Sequence, residues 1–137
     1  MVKLAFVCVG NAGRSQMATA YAEAERSRRG LDAEIDIVTG GTQPKEHVHE
    51  EVIEAFDEED IDISDRTPRA ITSRDVADAD WIVTMGCDAS GFTPREWDGE
   101  LEQWQLTDPE GHGIAAVRTQ RDDIKRRVQD LFDRLET

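Results

Sequence analysis

The chain has 137 residues, about the size of one domain with a single hydrophobic core, and we expect residues 1–137 to form that one domain. It has no apolar run of about 18 residues, its N-terminus resembles a strand rather than a signal peptide, and it has only two cysteines, so we expect a cytoplasmic protein rather than a membrane or secreted one. The formal net charge of −14 disfavours nucleic acid and anionic membranes as partners.

Short apolar runs alternate with helical periodicity along the chain. In chain order, we predict a strand over Lys3–Cys8, a helix over Gln16–Arg29, a strand over Glu34–Thr39, an acidic helix after Pro44, a short helix around Ser73–Asp78 begun by Thr72 or Ser73, a strand over Asp80–Met85, a loop over Gly86–Gly99, a weak strand over Glu102–Leu106 and a long helix over Ile114–Leu135. This alternation predicts a small α/β domain with a parallel sheet and helices on both faces. Ligands of such sheets bind beyond the carboxyl ends of the strands, where Cys8 lies.

The segment between the first strand and the first helix has the form of a cysteine, five residues, an arginine and a serine. Its residues are Cys8, Val9, Gly10, Asn11, Ala12, Gly13, Arg14 and Ser15. Glycine and asparagine tolerate left-handed backbone, so we expect the loop to curl with its N–H groups inward as an anion-binding nest. The helix that begins near Arg14 adds the positive end of its dipole, so a tetrahedral oxyanion is the expected ligand of Val9 to Arg14.

Three side chains of this loop have predicted chemical roles. Arg14 can donate two N–H bonds to oxyanion oxygens. Cys8 lies beneath the anion, where the N–H groups, the helix dipole and Arg14 favour the nucleophilic thiolate, and Ser15 can donate its hydroxyl to that thiolate. The alternative is a small buried cysteine beside an unrelated glycine turn.

Asp108 precedes Pro109 in a turn-rich loop late in the chain. An aspartate fixed by the proline and poised over the anion loop can protonate a leaving oxygen, which makes Asp108 the candidate general acid. Asp-Pro is also a common turn dipeptide, so spacing alone leaves both interpretations open.

CVGNAGRS after an N-terminal strand resembles the signature loop of the low-molecular-weight protein tyrosine phosphatase superfamily, which includes arsenate reductases. The similarity continues through GGTQP, IDISDRTPRAIT, DWIVTMGC and LTDPEG, whose Asp-Pro matches the family's general acid, and these blocks are more similar to the reductases. The resemblance implies a three-layer fold with a central four-stranded parallel sheet flanked by helices. It also implies that Asp108 is the acid.

The resemblance implies a thiol-dependent arsenate reductase, with a phosphatase that hydrolyses phosphate monoesters through a cysteinyl-phosphate as the alternative. In a reductase, a second thiol attacks the sulfur of the arsenic adduct and arsenite leaves. Cys87 follows the strand DWIVTM and is the candidate resolving thiol. Thioredoxin-coupled relatives use a third cysteine, and here Ser90 and Gly91 occupy its neighbourhood.

Two routes to the reductant therefore stay open. Either Cys87 resolves Cys8 and an external thioredoxin- or glutaredoxin-like dithiol reduces the disulfide, or a low-molecular-weight thiol attacks directly. Cys87 can also be a small buried residue or a spare thiol. Against the phosphatase, the residues after Pro109 are Glu110, Gly111 and His112 rather than the tyrosines that commonly line a tyrosine phosphatase pocket.

The remaining signals are weaker. His47 and His49 face different ways on a helix, so we expect no metal site and no bound cofactor. A binding module that senses oxyanions without turnover is the non-enzymatic alternative. Only three of the basic residues are lysines, namely Lys3, Lys45 and Lys125, and this acidic, lysine-poor composition resembles that of halophilic proteins from salt-accumulating cells.

Overall fold

A computed structural model describes residues 1–136 and contains a four-stranded parallel sheet. The elements in chain order are β1 (Val2–Cys8), α1 (Arg14–Arg28), β2 (Ile35–Gly41), α2 (Glu50–Asp57), α3 (Ser73–Val76), β3 (Trp81–Met85), a 3₁₀ turn (Ala89–Gly91), β4 (Glu100–Trp104) and α4 (Ile114–Leu135). The strand order is β2-β1-β3-β4, and every neighbouring pair is parallel. The predicted fold class is confirmed, while the fourth strand begins and ends two residues earlier than its apolar residues indicated.

Strand β1 is buried on both faces, as expected of a central parallel strand. Leu4 and Phe6 point into an apolar cluster shared with α1, α2 and α4, while Ala5 and Val7 point into a second cluster with α3 and the 3₁₀ turn. Helices therefore cover both sheet faces. The buried residues of α4 follow helical spacing, with Ile124, Val128 and Leu131 facing the sheet and α1.

The first helix is more buried than its apolar spacing predicts. All residues from Arg14 to Ala22 are buried, including the polar Ser15, Gln16 and Thr19. This burial places the start of α1 against the carboxyl end of β1. The helix N-terminus is thus held inside the protein, at the edge where the candidate loop lies.

The carboxyl ends of three strands meet at one edge of the sheet. Cys8 is the register partner of Gly41 in β2 and of Met85 in β3. Gly41 lies so close to the loop that a Cβ there would be 2.5 Å from the Val9 carbonyl oxygen. Glycine is therefore required for the loop to pack against the end of β2.

The short helix α3 has the N-cap expected from the sequence: Thr72 accepts a hydrogen bond from the Asp75 backbone, and Asp75 accepts one in return. Of the tryptophans, Trp104 is buried in the larger cluster, and Trp97 donates its indole N–H to the Ala79 carbonyl. Among residues 1–136, the helices are too short or too polar to cross a membrane.

Candidate active site

The loop between β1 and α1 is held by hydrogen bonds to its carbonyl groups. The carbonyls of residues 8, 9, 10 and 12 accept hydrogen bonds from the backbone N–H groups of Thr42, Gln43, Lys45 and His49, respectively. The fifth carbonyl, of Asn11, accepts from the Gln16 side chain. Because the N–H of a peptide points opposite to its C=O, N–H groups of residues 9–13 face the other side of the loop. This is the arrangement that an anion nest requires.

Glycine has a different role in this loop than its sequence suggested. Asn11 has φ of 53°, in the left-handed region, whereas Gly13 has φ of −140° and Gly10 is outside that region as well. The expectation that glycines supply the left-handed turn is therefore wrong. Instead, a Cβ at Gly10 would lie 3.1 Å from Lys45, and one at Gly13 would lie 3.2 Å from both His49 and Pro109. The absence of a side chain at Gly10 and Gly13 lets Lys45, His49 and Pro109 pack directly against the loop backbone.

Cys8 lies on the floor of the nest and is almost fully buried. Its Sγ is 2.9 Å from the Ser15 hydroxyl and accepts a hydrogen bond of 3.2 Å from the Asn11 backbone N–H. Both contacts place hydrogen-bond donors around the sulfur. Such donors stabilise a thiolate more than a thiol.

The side chain of Asn11 holds the Ser15 hydroxyl beside Cys8 through a hydrogen-bond network. Asn11 Nδ2 donates to Ser15 Oγ at 2.7 Å and to Thr39 Oγ1 at 3.0 Å, and Thr39 donates its own proton to the Phe6 carbonyl. Ser15 Oγ accepts a bond from Asn11, and its own proton can be donated to Cys8 Sγ.

Arg14 is the first residue of α1, and its side chain is buried beside the loop. One guanidinium nitrogen donates to the Leu106 carbonyl at 2.9 Å, and the other is 4.0 Å from an Asp108 carboxylate oxygen. Gly86 borders the guanidinium on another side, since a Cβ at that position would be 2.2 Å from Arg14 Nη1. The guanidinium is positioned by backbone from two neighbouring strand ends.

Asp108 faces the loop from the β4–α4 connection, and half of its side chain is exposed. It accepts a hydrogen bond of 3.0 Å from the Glu110 backbone N–H, which fixes the turn, while the buried Pro109 packs against Gly13. One small cavity is lined by six of the predicted residues and by two that sequence reasoning missed as site residues, whereas Val9, Asn11 and Ser15 lie outside its lining. Its lining is Cys8, Gly10, Ala12, Gly13, Arg14, Lys45, His49 and Asp108.

Lys45 and His49 have no local motif that marks them. Both follow β2, whose carboxyl end shares the sheet edge with Cys8, and this topological placement is the signal that could have found them. His49, Asp108 and Glu110 also offer ligand atoms within 4.8 Å of one another. Glu110 is already bonded to Lys45 at 2.7 Å, so we assign no metal there.

Cys87 lies outside this cavity, just beyond the end of β3. Its Sγ is 3.7 Å from the Val7 carbonyl oxygen of β1, and the side chain is half-buried. Burial raises the pKa of the Cys87 thiol, and the nearby Cys8 raises it further, while Arg14 opposes the shift. The thiol borders a groove of about 760 Å³ that also includes Gly86, Leu106 and Thr107. Both cysteines are free thiols.

A four-stranded parallel sheet whose carboxyl edge carries a buried cysteine, on a loop leading into a buried helix, defines an α/β protein with a cysteine-centred site. The chain belongs to the low molecular weight phosphotyrosine protein phosphatase family, whose model matches residues 3–137. The resemblance inferred from the sequence is thereby confirmed.

Relatives within this family include arsenate reductases. A Halobacterium salinarum protein with the provisional name arsenate reductase is 50% identical over 131 residues, covering 96% of this chain and 91% of the relative. The glutaredoxin arsenate reductase of Synechocystis is 34% identical over 137 residues, covering 98% of this chain and 99% of the relative. A solved arsenate reductase in a phosphate-binding state matches with a TM-score of 0.81 and 32% identity, and each chain is covered to 98%.

Proposed function

We propose that this chain is a thiol-dependent arsenate reductase in which Cys8 is the nucleophile and Cys87 resolves the adduct. The observation that carries the proposal is the position of the second free thiol. Cys87 lies just beyond the end of β3, and β3 is paired with β1, the strand that ends at Cys8. Similarity to arsenate reductases over nearly the whole chain supports the same activity.

The first step is attack of the Cys8 thiolate on arsenic. The loop N–H groups and Arg14 hold the arsenate oxygens, and the bond from arsenic to the leaving oxygen breaks as the sulfur–arsenic bond forms. Asp108 gives its proton to that oxygen, which departs as water. Arsenic stays pentavalent in this step.

The second step transfers the electrons. Cys87 Sγ attacks Cys8 Sγ, its proton is released, and the sulfur–arsenic bond breaks with both electrons remaining on arsenic. Arsenite leaves and a Cys8–Cys87 disulfide remains.

An external dithiol then reduces the disulfide and is itself oxidised. A thioredoxin- or glutaredoxin-like protein fits this step, because a glutaredoxin arsenate reductase is among the relatives and a thioredoxin-dependent arsenate reductase is among the similar solved structures. The groove beside Cys87 gives a reductant access to the disulfide. Direct attack by a small thiol is the other route, and it needs no Cys87. A reducing cytoplasm is the compartment in which either route operates.

The second candidate function is hydrolysis of phosphate monoesters, which needs only Cys8, Arg14 and Asp108 in one cavity. The surroundings of Asp108 provide little support for phosphotyrosine as a substrate. Tyr21 is buried in α1 and donates its hydroxyl to Glu59, away from the loop, and among residues 1–136 no phenylalanine, tyrosine or tryptophan lines the cavity.

One experiment separates these functions. The protein is treated with one equivalent of arsenate without added thiol and analysed by mass spectrometry, alongside a Cys87→Ser variant. We expect a loss of two hydrogens in the parent only, with release of arsenite. No loss in the parent, with arsenite release on adding small thiols, would make Cys87 a bystander. Aryl phosphate hydrolysis without arsenite release under any thiol would establish the phosphatase.

A further inference from the structure

A lysine side chain lies across the mouth of the oxyanion loop. The backbone N–H of Lys45 donates to the Gly10 carbonyl at 2.9 Å, which anchors the residue beside the loop. A Cβ at Gly10 would lie 3.1, 3.4 and 3.3 Å from Cγ, Cδ and Cε of Lys45. The aliphatic stem therefore lies flat over the loop backbone along its whole length.

The far end of this side chain is bound to the loop that carries Asp108. Lys45 Nζ donates to Glu110 Oε2 at 2.7 Å, and the Glu110 backbone N–H in turn donates to Asp108 at 3.0 Å. His49 and Pro109 continue the cover, since both contact the Cβ position of Gly13 at 3.2 Å. The Lys45–Glu110 bridge thus begins at the cavity lining and ends on the loop of the candidate acid.

The cavity beneath this cover has about 200 Å³ of empty space, part of it open to solvent, but only about 10 Å³ of it admits the centre of a water-sized sphere. A ligand that extends past the loop on the side of Asp108 therefore enters only if part of the cover shifts. Gly13 and Pro109 are buried, whereas the Lys45 and Glu110 side chains are 43% and 51% exposed. Exposed ion pairs contribute little to stability, so the bridge is the part that moves most easily.

We propose that the Lys45–Glu110 bridge is a specificity latch that favours unesterified tetrahedral oxyanions over phosphate esters. The inference rests on the proposed function, in which the leaving oxygen points towards Asp108. In arsenate that oxygen carries at most a proton and fits beneath a bridge that closes again. In an ester the same oxygen carries the alcohol, which has to occupy the space where the bridge runs. Lys45 also brings a positive charge to the anion.

Two variants test the latch in different ways. Glu110→Gln breaks the ion pair while keeping the size of the side chain and the charge of Lys45, and Lys45→Ala removes the stem. The matched control is Asp78→Asn, which breaks the Lys3–Asp78 ion pair. This pair has the same N–O distance as the Lys45–Glu110 pair, 2.7 Å, but lies at the amino end of the sheet, away from the site. Far-ultraviolet circular dichroism checks that each variant is folded.

The measurement is protection of Cys8 from iodoacetamide, read from the mass of its peptide, with inorganic phosphate and with phenyl phosphate as protectants. We expect the parent to bind inorganic phosphate at least about tenfold more tightly than phenyl phosphate. We expect this preference to fall at least about fivefold in both variants and to stay unchanged in the control. No preference in the parent, an unchanged ratio in Glu110→Gln, or equal weakening of both ligands in Lys45→Ala would overturn the latch.

This test does not depend on arsenate turnover. If the parent releases no arsenite but the ratio shifts in both variants, the proposed function fails and the latch stands. If arsenite is released and the ratio is the same in every variant, the proposed function stands and the latch fails.

Discussion

The guanidinium of Arg14 occupies the space that a side chain at position 86 would need. Gly86 has φ of +78°, and a Cβ there would lie 2.2 Å from Arg14 Nη1. The glycine next to Cys87 is therefore part of what positions the arginine. This contact connects the end of β3, and with it the candidate resolving thiol, to the oxyanion loop.

Gly86→Ala should displace Arg14 and weaken binding of the oxyanion. A methyl group overlaps the guanidinium and also strains a left-handed residue, so we expect at least about a tenfold loss of phosphate protection of Cys8, or ~1.4 kcal/mol. Gly30→Ala is the matched control, because Gly30 has φ of +70° and open space around its Cβ position. Both variants should lower the melting temperature, because alanine is strained at a positive φ, but Gly30→Ala should leave the phosphate protection of Cys8 intact. Equal protection in the two variants would show that the close approach to Arg14 is unimportant.

Arg14→Lys should retain the charge but lose most of the activity. Arg14 donates to Leu106 with one nitrogen while the other faces Asp108 at 4.0 Å, and a single ammonium cannot occupy both places or bind two oxyanion oxygens side by side. We expect kcat/KM for arsenate to fall by more than about tenfold, or ~1.4 kcal/mol. A variant within about threefold of the parent, a difference below ~0.7 kcal/mol, would contradict a bidentate role.

Asp108→Asn should impair cleavage of poor leaving groups far more than cleavage of activated ones. The amide oxygen can still accept the hydrogen bond from the Glu110 backbone, so the turn is retained and only the proton is lost. We expect at least about a tenfold larger loss of kcat/KM for benzyl phosphate than for para-nitrophenyl phosphate. An equal loss for both substrates would assign Asp108 a structural role.

The sequence predicted the elements well where periodicity was strong. The limits of α4 match because Ile124, Val128 and Leu131 form a regular apolar stripe, whereas the edge strand β4 starts earlier than predicted because Glu100 and the other polar residues of the strand obscure its pattern. Within the candidate site, Cys8, Arg14 and Ser15 were predictable from the sequence, because they lie on one loop at a characteristic spacing. Lys45 and Gly86 were not, because contacts between strand ends depend on the three-dimensional register rather than on sequence distance.

Glu25 should stabilise the protein in a pH-dependent manner. Its buried carboxylate accepts hydrogen bonds from Arg28 and Arg29, and the bond from Arg28 is the main reason that its pKa lies below the usual value. A lowered pKa in the folded state contributes stability that is complete above the unfolded pKa of about 4.3 and is lost as the pH falls through the folded value.

Glu25→Gln should therefore destabilise the protein by about 1–3 kcal/mol at pH 7, and the difference should shrink towards acid pH. Urea unfolding at pH 7 and near pH 4 measures both values. The exposed Glu96 provides the control variant Glu96→Gln, for which we expect almost no change at either pH. A Glu25→Gln effect that is the same at both pH values would mean that shape, not charge, matters there.

The acidic surface should make stability depend on salt. The net charge is −14, and all three lysines already contact carboxylates, namely Lys3 with Asp78, Lys45 with Glu110 and Lys125 with Glu59. Many carboxylates therefore have no lysine partner and repel one another. Salt weakens this repulsion, because the Debye length falls from about 10 Å at 0.1 M salt to about 3 Å at 1 M.

We expect the melting temperature to rise by at least about 5 °C between about 0.1 M and 2 M potassium chloride, or about 1 kcal/mol. A variant with the exposed Glu34, Asp65 and Glu96 changed to their amides should start from a higher melting temperature and gain less from salt, because less repulsion remains to be screened. Sucrose stabilises proteins through exclusion from their surface and does not screen charge, so it should raise both melting temperatures equally. Equal melting temperatures of the parent at low and high potassium chloride would show that its acidic composition is not an adaptation to salt.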